Sequence, residues 1–286
     1  MIKVNIFDKT CQHHLKEDGY WTSTANIRPK NIQFIQNNYD YDGITLFTDN
    51  VILSDVVDKV KSKIKVAWCL ESPAITPFLH ANIEKVAHKF DYILTYREDL
   101  IKQDPAKYIP NSPGGTYIPD RDINTNTIKT KNCSMILSGK REFEGHILRH
   151  KIQQHTVGVD YYGWGSKRGR LDNKADAMRD YMFQLTIENT RAYHYFTEKL
   201  IDSLLMKCIP IYWGCLNIQD YFNIDGFVIF NDYNDLAKQK LTKSFYIDRY
   251  DIIKENYNKA KDFISSDDYM ITKLLKILNI YTCKLI

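Results

Sequence analysis

The residues with the densest chemical potential in this 286-residue chain lie between Glu188 and Gly214. Glu188-Asn189 ends an apolar run, a polar stretch follows, and Thr197-Glu198-Lys199 then precedes Leu200, Ile201, Leu204 and Leu205 at helical spacing. That spacing predicts a helix from Thr197 to Cys208, with Thr197 as N-cap and its apolar face against a sheet. The free N–H groups and positive dipole end of such a helix make a seat for phosphate. Lys199 in the first turn opposes the dipole, which an anion bound nearby explains. A solvated first turn with Lys199 snorkelling is the plainer reading of the same residues.

Positioning these groups requires a sheet, and the pattern supplies two. Met1–Phe7, Gly43–Phe47, Ile64–Leu70 and Asp91–Tyr96 read as strands, with helices over Val56–Lys63 and Ala81–Phe90 between them. Proline at Pro73 stops the third run just after Glu71-Ser72. Residues 103–131 hold four prolines and two glycines and read as loop and connector. Beyond them Ser134–Ser138, Val157–Tyr162, Phe183–Ile187, Ile209–Trp213 and Phe227–Phe230 read as strands, with a helix over Glu142–Gln154 and closing helices over Tyr250–Phe263 and Asp267–Leu278. Alternating strands and helices imply βαβ units and parallel sheets. The predicted organisation is two Rossmann-like α/β domains, residues 1–130 and 131–265, and a C-terminal helix in 266–286. Ligands of open parallel sheets lie beyond the strands' carboxyl ends. That rule singles out Glu71-Ser72-Pro73, Tyr96-Arg97-Glu98, Ser138-Gly139-Lys140-Arg141, Gly163-Trp164-Gly165, Glu188-Asn189 and Gly214.

Composition narrows the function class. Thirty-nine basic against 35 acidic residues leave +4, too little for a dedicated nucleic-acid binder but enough for one basic pocket. The 20 tyrosines offer flat surfaces suited to sugars or bases, unless they reflect drift in composition. Six cysteines without a C-x-x-C pair read as buried thiols in a reducing compartment and not as a zinc site. No 18-residue apolar run occurs, and Met1–Phe7 is too short and broken for a signal peptide. The expectation is a cytoplasmic protein without a transmembrane segment.

The Glu188–Gly214 segment resembles the donor-binding signature of the family ten glycosyltransferases, the α-1,3/α-1,4-fucosyltransferases. Ile187-Glu188-Asn189-Thr190, Tyr195-Phe196-Thr197-Glu198-Lys199 and Ile209-Pro210-Ile211-Tyr212-Trp213-Gly214 match it without a gap from Glu188 to Lys199. Trp68–Pro73 is similar to the family's E-S-P element, Leu94–Asp99 to its L-T-Y-R-x-D element, and Val159–Gly163 to its V-D-x-x-G strand end. The likeness covers roughly residues 64–265, and the absence of a membrane anchor resembles soluble microbial or viral members. The resemblance implies a GT-B fold, two Rossmann-like domains with a cleft between them. It also implies an inverting transfer from GDP-fucose to a glycan hydroxyl, with no cofactor. Its residue roles make Glu71 the base, and Asn189, Tyr195, Glu198 and Lys199 donor contacts, with Glu188 either a donor contact or the residue that orients the loop. The family's diphosphate arginine has no ungapped counterpart, since Gly145 takes its place. Arg141, just past a strand end, is the preferred substitute and Arg149 the other candidate.

Other readings compete. Asp40-Tyr41-Asp42 and Asp120-Arg121-Asp122 have the D-x-D form that holds Mn²⁺ or Mg²⁺ in metal-dependent glycosyltransferases, but such strings arise by chance. His13-His14 has only Cys11 at ligand spacing and reads as an exposed pair. A different sugar-nucleotide donor, or a non-catalytic glycan- or nucleotide-binding protein, would fit the same fold.

Overall fold

The structure, a computed structural model, describes residues 2–9, 22–23, 28–111, 114–125 and 127–278. It divides into two compact units. The first comprises Met1–Pro113, Ala192–Tyr195 and Ser265–Ile286, the second Gly114–Arg191 and Phe196–Ile264.

The first unit is a six-stranded parallel sheet of β1 (Ile2–Phe7), β2 (Ile32–Gln36), β3 (Ile44–Thr48), β4 (Ile64–Trp68), β5 (Tyr92–Thr95) and β6 (Tyr108–Pro110), in the order β2-β1-β3-β4-β5-β6. Successive side chains of a strand leave opposite faces, and both faces here are covered. Val4, Leu46, Val66, Trp68 and Leu94 share a core with Met270, Ile271, Leu274 and Leu275 of the helix Ser266–Ile277. Phe7, Phe47, Ala67, Cys69 and Ile93 meet Val57, Leu79, Ile83 and Leu100 from the helices on the other side. Two-sided burial explains why these strands read as continuous apolar runs.

The second unit is a five-stranded parallel sheet of β7 (Lys131–Ile136), β8 (Val159–Tyr162), β9 (Tyr181–Ile187), β10 (Ile209–Trp213) and β11 (Val228–Ile229), in the order β11-β10-β9-β7-β8. Counted within the unit this is 2-1-3-4-5, the arrangement of the first unit's first five strands. Cys133, Met135, Phe183, Leu185, Ile211 and Trp213 build its core on one face. On β9, Gln184 and Thr186 are buried as well, and Gln184 Oε1 accepts the Ser134 hydroxyl at 2.6 Å. Buried polar residues on a central strand mark the place where the sheet meets something other than a core.

Two boundaries differ from the sequence reading. The chain changes unit at Pro113–Gly114, not near residue 130, because the intervening segment bonds to the second unit. The Thr116 hydroxyl and Tyr117 N–H both donate to Asp202 Oδ1, at 2.5 and 2.9 Å, and Gly115 N–H donates to the Phe263 carbonyl at 2.8 Å. The closing helix is no separate element, since its apolar face completes the first unit's core. Strands β2 and β6, absent from the sequence reading, are the two edges of the first sheet.

Candidate functional site

Glu188, at the end of β9, organises the second unit's site. Its side chain has no solvent exposure. One carboxylate oxygen accepts the Thr197 N–H at 2.9 Å and the other the Thr197 hydroxyl at 2.7 Å. Lys199 Nζ lies 3.6 Å from the second oxygen. Burial pushes the carboxyl pKa up while Lys199 opposes the rise. Two glycines make room for this arrangement. A Cβ on Gly214 would stand 2.5 Å from Glu188 Cγ, and one on Gly145 would stand 1.8 Å from the Glu188 carbonyl oxygen. Gly145 can therefore carry no side chain without displacing backbone.

Thr197 N-caps the helix Glu198–Leu205, its hydroxyl accepting the Lys199 N–H, as the spacing predicts. The helix Glu144–His155 packs its amino end on the same strand end, where Gly145 N–H donates to the Asn189 carbonyl at 3.0 Å. One turn on, Arg149 Nη2 donates to Asn189 Oδ1 at 2.6 Å and Nε to the Gly145 carbonyl at 3.2 Å. The guanidinium is thus aimed by neutral oxygens. A third cation comes from the turn Lys174–Ala177, capped by the Asn173 side chain. Lys174 Nζ sits 2.8 Å from Asp202 Oδ2 and 3.6 Å from Glu198 Oε1. Burial alone would lower the Lys174 pKa, but Asp202 and Glu198 outweigh it and raise it. Burial likewise acts to raise Glu198, yet Lys199 and Lys174 hold it at about 2.

Arg149, Lys174, Glu198 and Lys199 line one cavity of about 200 Å³, floored by Ile136, Gln184, Thr186 and Ile187 and bordered by Ser138. It lies beyond the carboxyl ends of β7 and β9, where the strand order reverses, which is where ligands of this topology sit. Three cations against one lining carboxylate, beside a helix amino end, can hold a dianion such as a diphosphate.

In the first unit, Glu71 follows β4 in a turn held at both of its peptide groups. Asp49 Oδ1 accepts the N–H groups of Leu70 and Glu71 at 2.9 and 3.3 Å. The Tyr96 hydroxyl donates to the Leu70 carbonyl at 2.9 Å. His80 Nε2 lies 3.0 Å from the Glu71 carbonyl; a carbonyl only accepts, so Nε2 carries the hydrogen. Burial lowers the His80 pKa, consistent with a neutral ring.

The remaining sequence-predicted residues are distributed unevenly. Glu198 and Lys199 face the cavity. Glu188 and Asn189 stand behind it, one gripping the helix cap and the other aiming Arg149. Tyr195 does not line the cavity; it is buried in the first unit's segment Ala192–Tyr195, edge-on to Tyr96 at 5.4 Å between centroids. Arg141, the preferred diphosphate arginine, is exposed and away from the cavity lining, whereas Arg149 is in it. The reason is Gly145: the helix is seated so closely on Glu188–Asn189 that the position one turn further along reaches the site. Sequence reasoning missed Lys174, because it belongs to a short turn in a polar loop with no periodic signal; its only cue is Asn173 as a cap.

Both acidic strings are engaged elsewhere. Asp40 pairs with Lys61 at 3.1 Å, and Asp122 accepts from Arg179 and Asn173 at 2.7 and 2.9 Å. His13-His14 and Cys11 lie outside the described residues. Cys69, Cys133, Cys208 and Cys215 are buried free thiols. Among the described residues, no helix is long and apolar enough to cross a membrane.

Residues 127–259 match the sequence model of glycosyltransferase family 10 (fucosyltransferase), C-terminal part. An alpha-(1,3)-fucosyltransferase, FucT, of Helicobacter pylori is 40% identical over 77 residues, which are 26% of this chain and 16% of that enzyme. The match therefore spans about a sixth of that relative's length. A crystal structure of α1,3-fucosyltransferase with GDP is similar at TM-score 0.54 and 18% identity, covering 98% of this chain and 91% of the other. A second, with GDP-fucose, gives 0.52 and 17%, covering 98% and 91%. The fold is that of the two-domain GT-B class.

Proposed function

We propose that this chain, whose residues 127–259 match the sequence model of glycosyltransferase family 10, transfers fucose from GDP-fucose to a hydroxyl of a glycan acceptor, with inversion at the anomeric carbon. The observation that carries the reading is the convergence of Arg149, Lys174 and Lys199 on one cavity beside the amino end of the helix Glu198–Leu205. The donor's diphosphate is seated there. Arg149, aimed by Asn189, supplies the planar fork, and Lys199 and Lys174 supply point charges. Glu198, kept ionised by those lysines, accepts hydrogen bonds from ribose or fucose hydroxyls. Glu188 shapes the seat and does not touch the donor.

Glu71 acts as the base. Its carboxylate takes the acceptor hydroxyl's proton as that oxygen bonds to the anomeric carbon. The bond from that carbon to the β-phosphate oxygen breaks, and GDP departs with the electron pair, its growing charge met by the three cations.

The test is a thermal-shift panel of GDP, UDP, CMP and dTDP, followed by turnover of GDP-fucose with a panel of glycan acceptors. GDP at a hundred times its dissociation constant stabilises by about 2.7 kcal/mol. Stabilisation by UDP alone would overturn the donor assignment. GDP binding without transfer or hydrolysis across the acceptor panel would overturn the catalytic one.

A further inference from the structure

We propose that Asp49 is a positioning residue for Glu71: it fixes the turn that presents Glu71 and sets a second carboxyl beside it. This inference rests on Glu71 being the base. Asp49 closes β3 with φ at +34°, a conformation that costs an L-residue roughly 1–3 kcal/mol and persists where its surroundings impose it. It has no solvent exposure. One oxygen receives the two N–H groups that precede the Glu71 side chain. The other is buried and has no hydrogen-bond partner among the described residues. A purely structural acceptor would not need that second oxygen, since an asparagine holds two N–H groups equally well.

Among the described residues, Asp8, Cys69, Glu71 and Tyr96, from beyond β1, β4 and β5, act on Asp49, and all four are acids. Burial first, and then the charges of Glu71 and Asp8, push the Asp49 carboxyl up to about 7 against the pull of the two N–H groups. Below that pH Asp49 carries a proton and acts as a neutral clamp. Above it, a negative charge stands beside Glu71 and raises the proton affinity of the Glu71 carboxylate, making it a stronger base. The clamp extends outward through Tyr96, whose hydroxyl holds the Leu70 carbonyl, and through His80 on the Glu71 carbonyl.

The experiment compares the full chain with Asp49→Asn and Glu71→Gln. Turnover of GDP-fucose by the parent protein should rise about threefold between pH 6 and 8, as expected for a modest gain in base strength. In Asp49→Asn, which keeps the acceptor oxygen, that rise should vanish while the GDP melting shift stays at the parent value. Profiles that superimpose after scaling would overturn the inference, because a merely structural Asp49 changes the height and not the shape. A second measurement does not depend on the Asn variant folding. Carbon NMR of carboxyl-labelled aspartate should show a midpoint near 7 that falls in Glu71→Gln, since coupling is reciprocal; an unmoved midpoint would also overturn it. The two levels separate cleanly. Transfer surviving in Glu71→Gln removes the base assignment itself. Transfer lost in Glu71→Gln, with the parent bend retained in Asp49→Asn, removes the role of Asp49 alone.

Discussion

At the carboxyl end of β3 a buried aspartate, Asp49, is surrounded by N–H groups and other acids. At the carboxyl end of β9 a buried glutamate, Glu188, is wrapped by a threonine and approached by a lysine. The two units share a strand order yet handle charge oppositely at equivalent edges. In the first, burial and the neighbouring acids push the Asp49 carboxyl up to about 7. The second pairs its acids with lysines, so its cations are fixed in place before any ligand arrives. A single topology thus carries two electrostatic settings: an acid set among acids, and cations held around a cavity by paired carboxylates. The difference resides in the residues just after the strands, not in the sheets.

The contrast breaks most sharply at Glu71. Glu71→Ala should cost transfer about a thousandfold, within the range typical of a lost general base, and leave GDP binding intact by calorimetry. Loss of GDP affinity there would erase the division of labour. Next in size, Glu188→Ala should lower unfolding stability by about 3 kcal/mol in denaturant titrations, because it strands a helix cap and the lysine beside it. Lys199→Ala and Arg149→Ala should each weaken GDP by about tenfold or more, as for hydrogen bonds to charged groups. Arg141→Ala should change neither binding nor transfer. An Arg141 effect equal to that of Arg149 would contradict the placement of the diphosphate.

The dependence on pH is the most diagnostic of the contrast, and its sign follows from the shifts. Asp49, at about 7 folded and near 3.9 unfolded, stays protonated in the native state after the unfolded chain has released its proton. Its contribution to stability is full below about pH 4 and is lost as pH rises through 7, with a slope of up to about 1.4 kcal/mol per pH unit. Glu198, held at about 2, behaves in reverse: its contribution is present above its ordinary pKa and is lost as pH falls toward 2. Unfolding measured from pH 2 to 8 should show Asp49→Asn flattening the upper limb and Glu198→Gln the lower one. Both variants flattening the same limb would remove the distinction between the units.

Much of this was legible in the sequence because each motif sits next to a strong periodic signal. Thr197 as a cap, the apolar face of Leu200, Ile201, Leu204 and Leu205, and the strand ends at Glu71 and Glu188 all follow from local pattern. What stayed hidden depends on contacts distant in sequence. Lys174 becomes a site residue only because Asp202, 28 positions away, turns it inward. Arg149 lines the cavity and Arg141 does not, because a glycine lets one helix settle on another strand's backbone. Strand β6 is three residues ending in Pro110, an edge position where proline costs no ladder bond but disguises the strand. Tyr195 belongs to the first unit through Tyr96, a pairing across roughly a hundred residues.

The excursion of Ala192–Tyr195 has a practical corollary. The polypeptide passes between the units at residues 113/114, 191/192, 195/196 and 264/265, so no single cut yields two whole pieces. A fragment trimmed to the matched stretch 127–259 would keep Tyr195 and lose Tyr96, and would discard the Thr116 and Tyr117 groups that satisfy Asp202. Anyone dissecting this protein must therefore reconnect strands by circular permutation or co-express overlapping pieces.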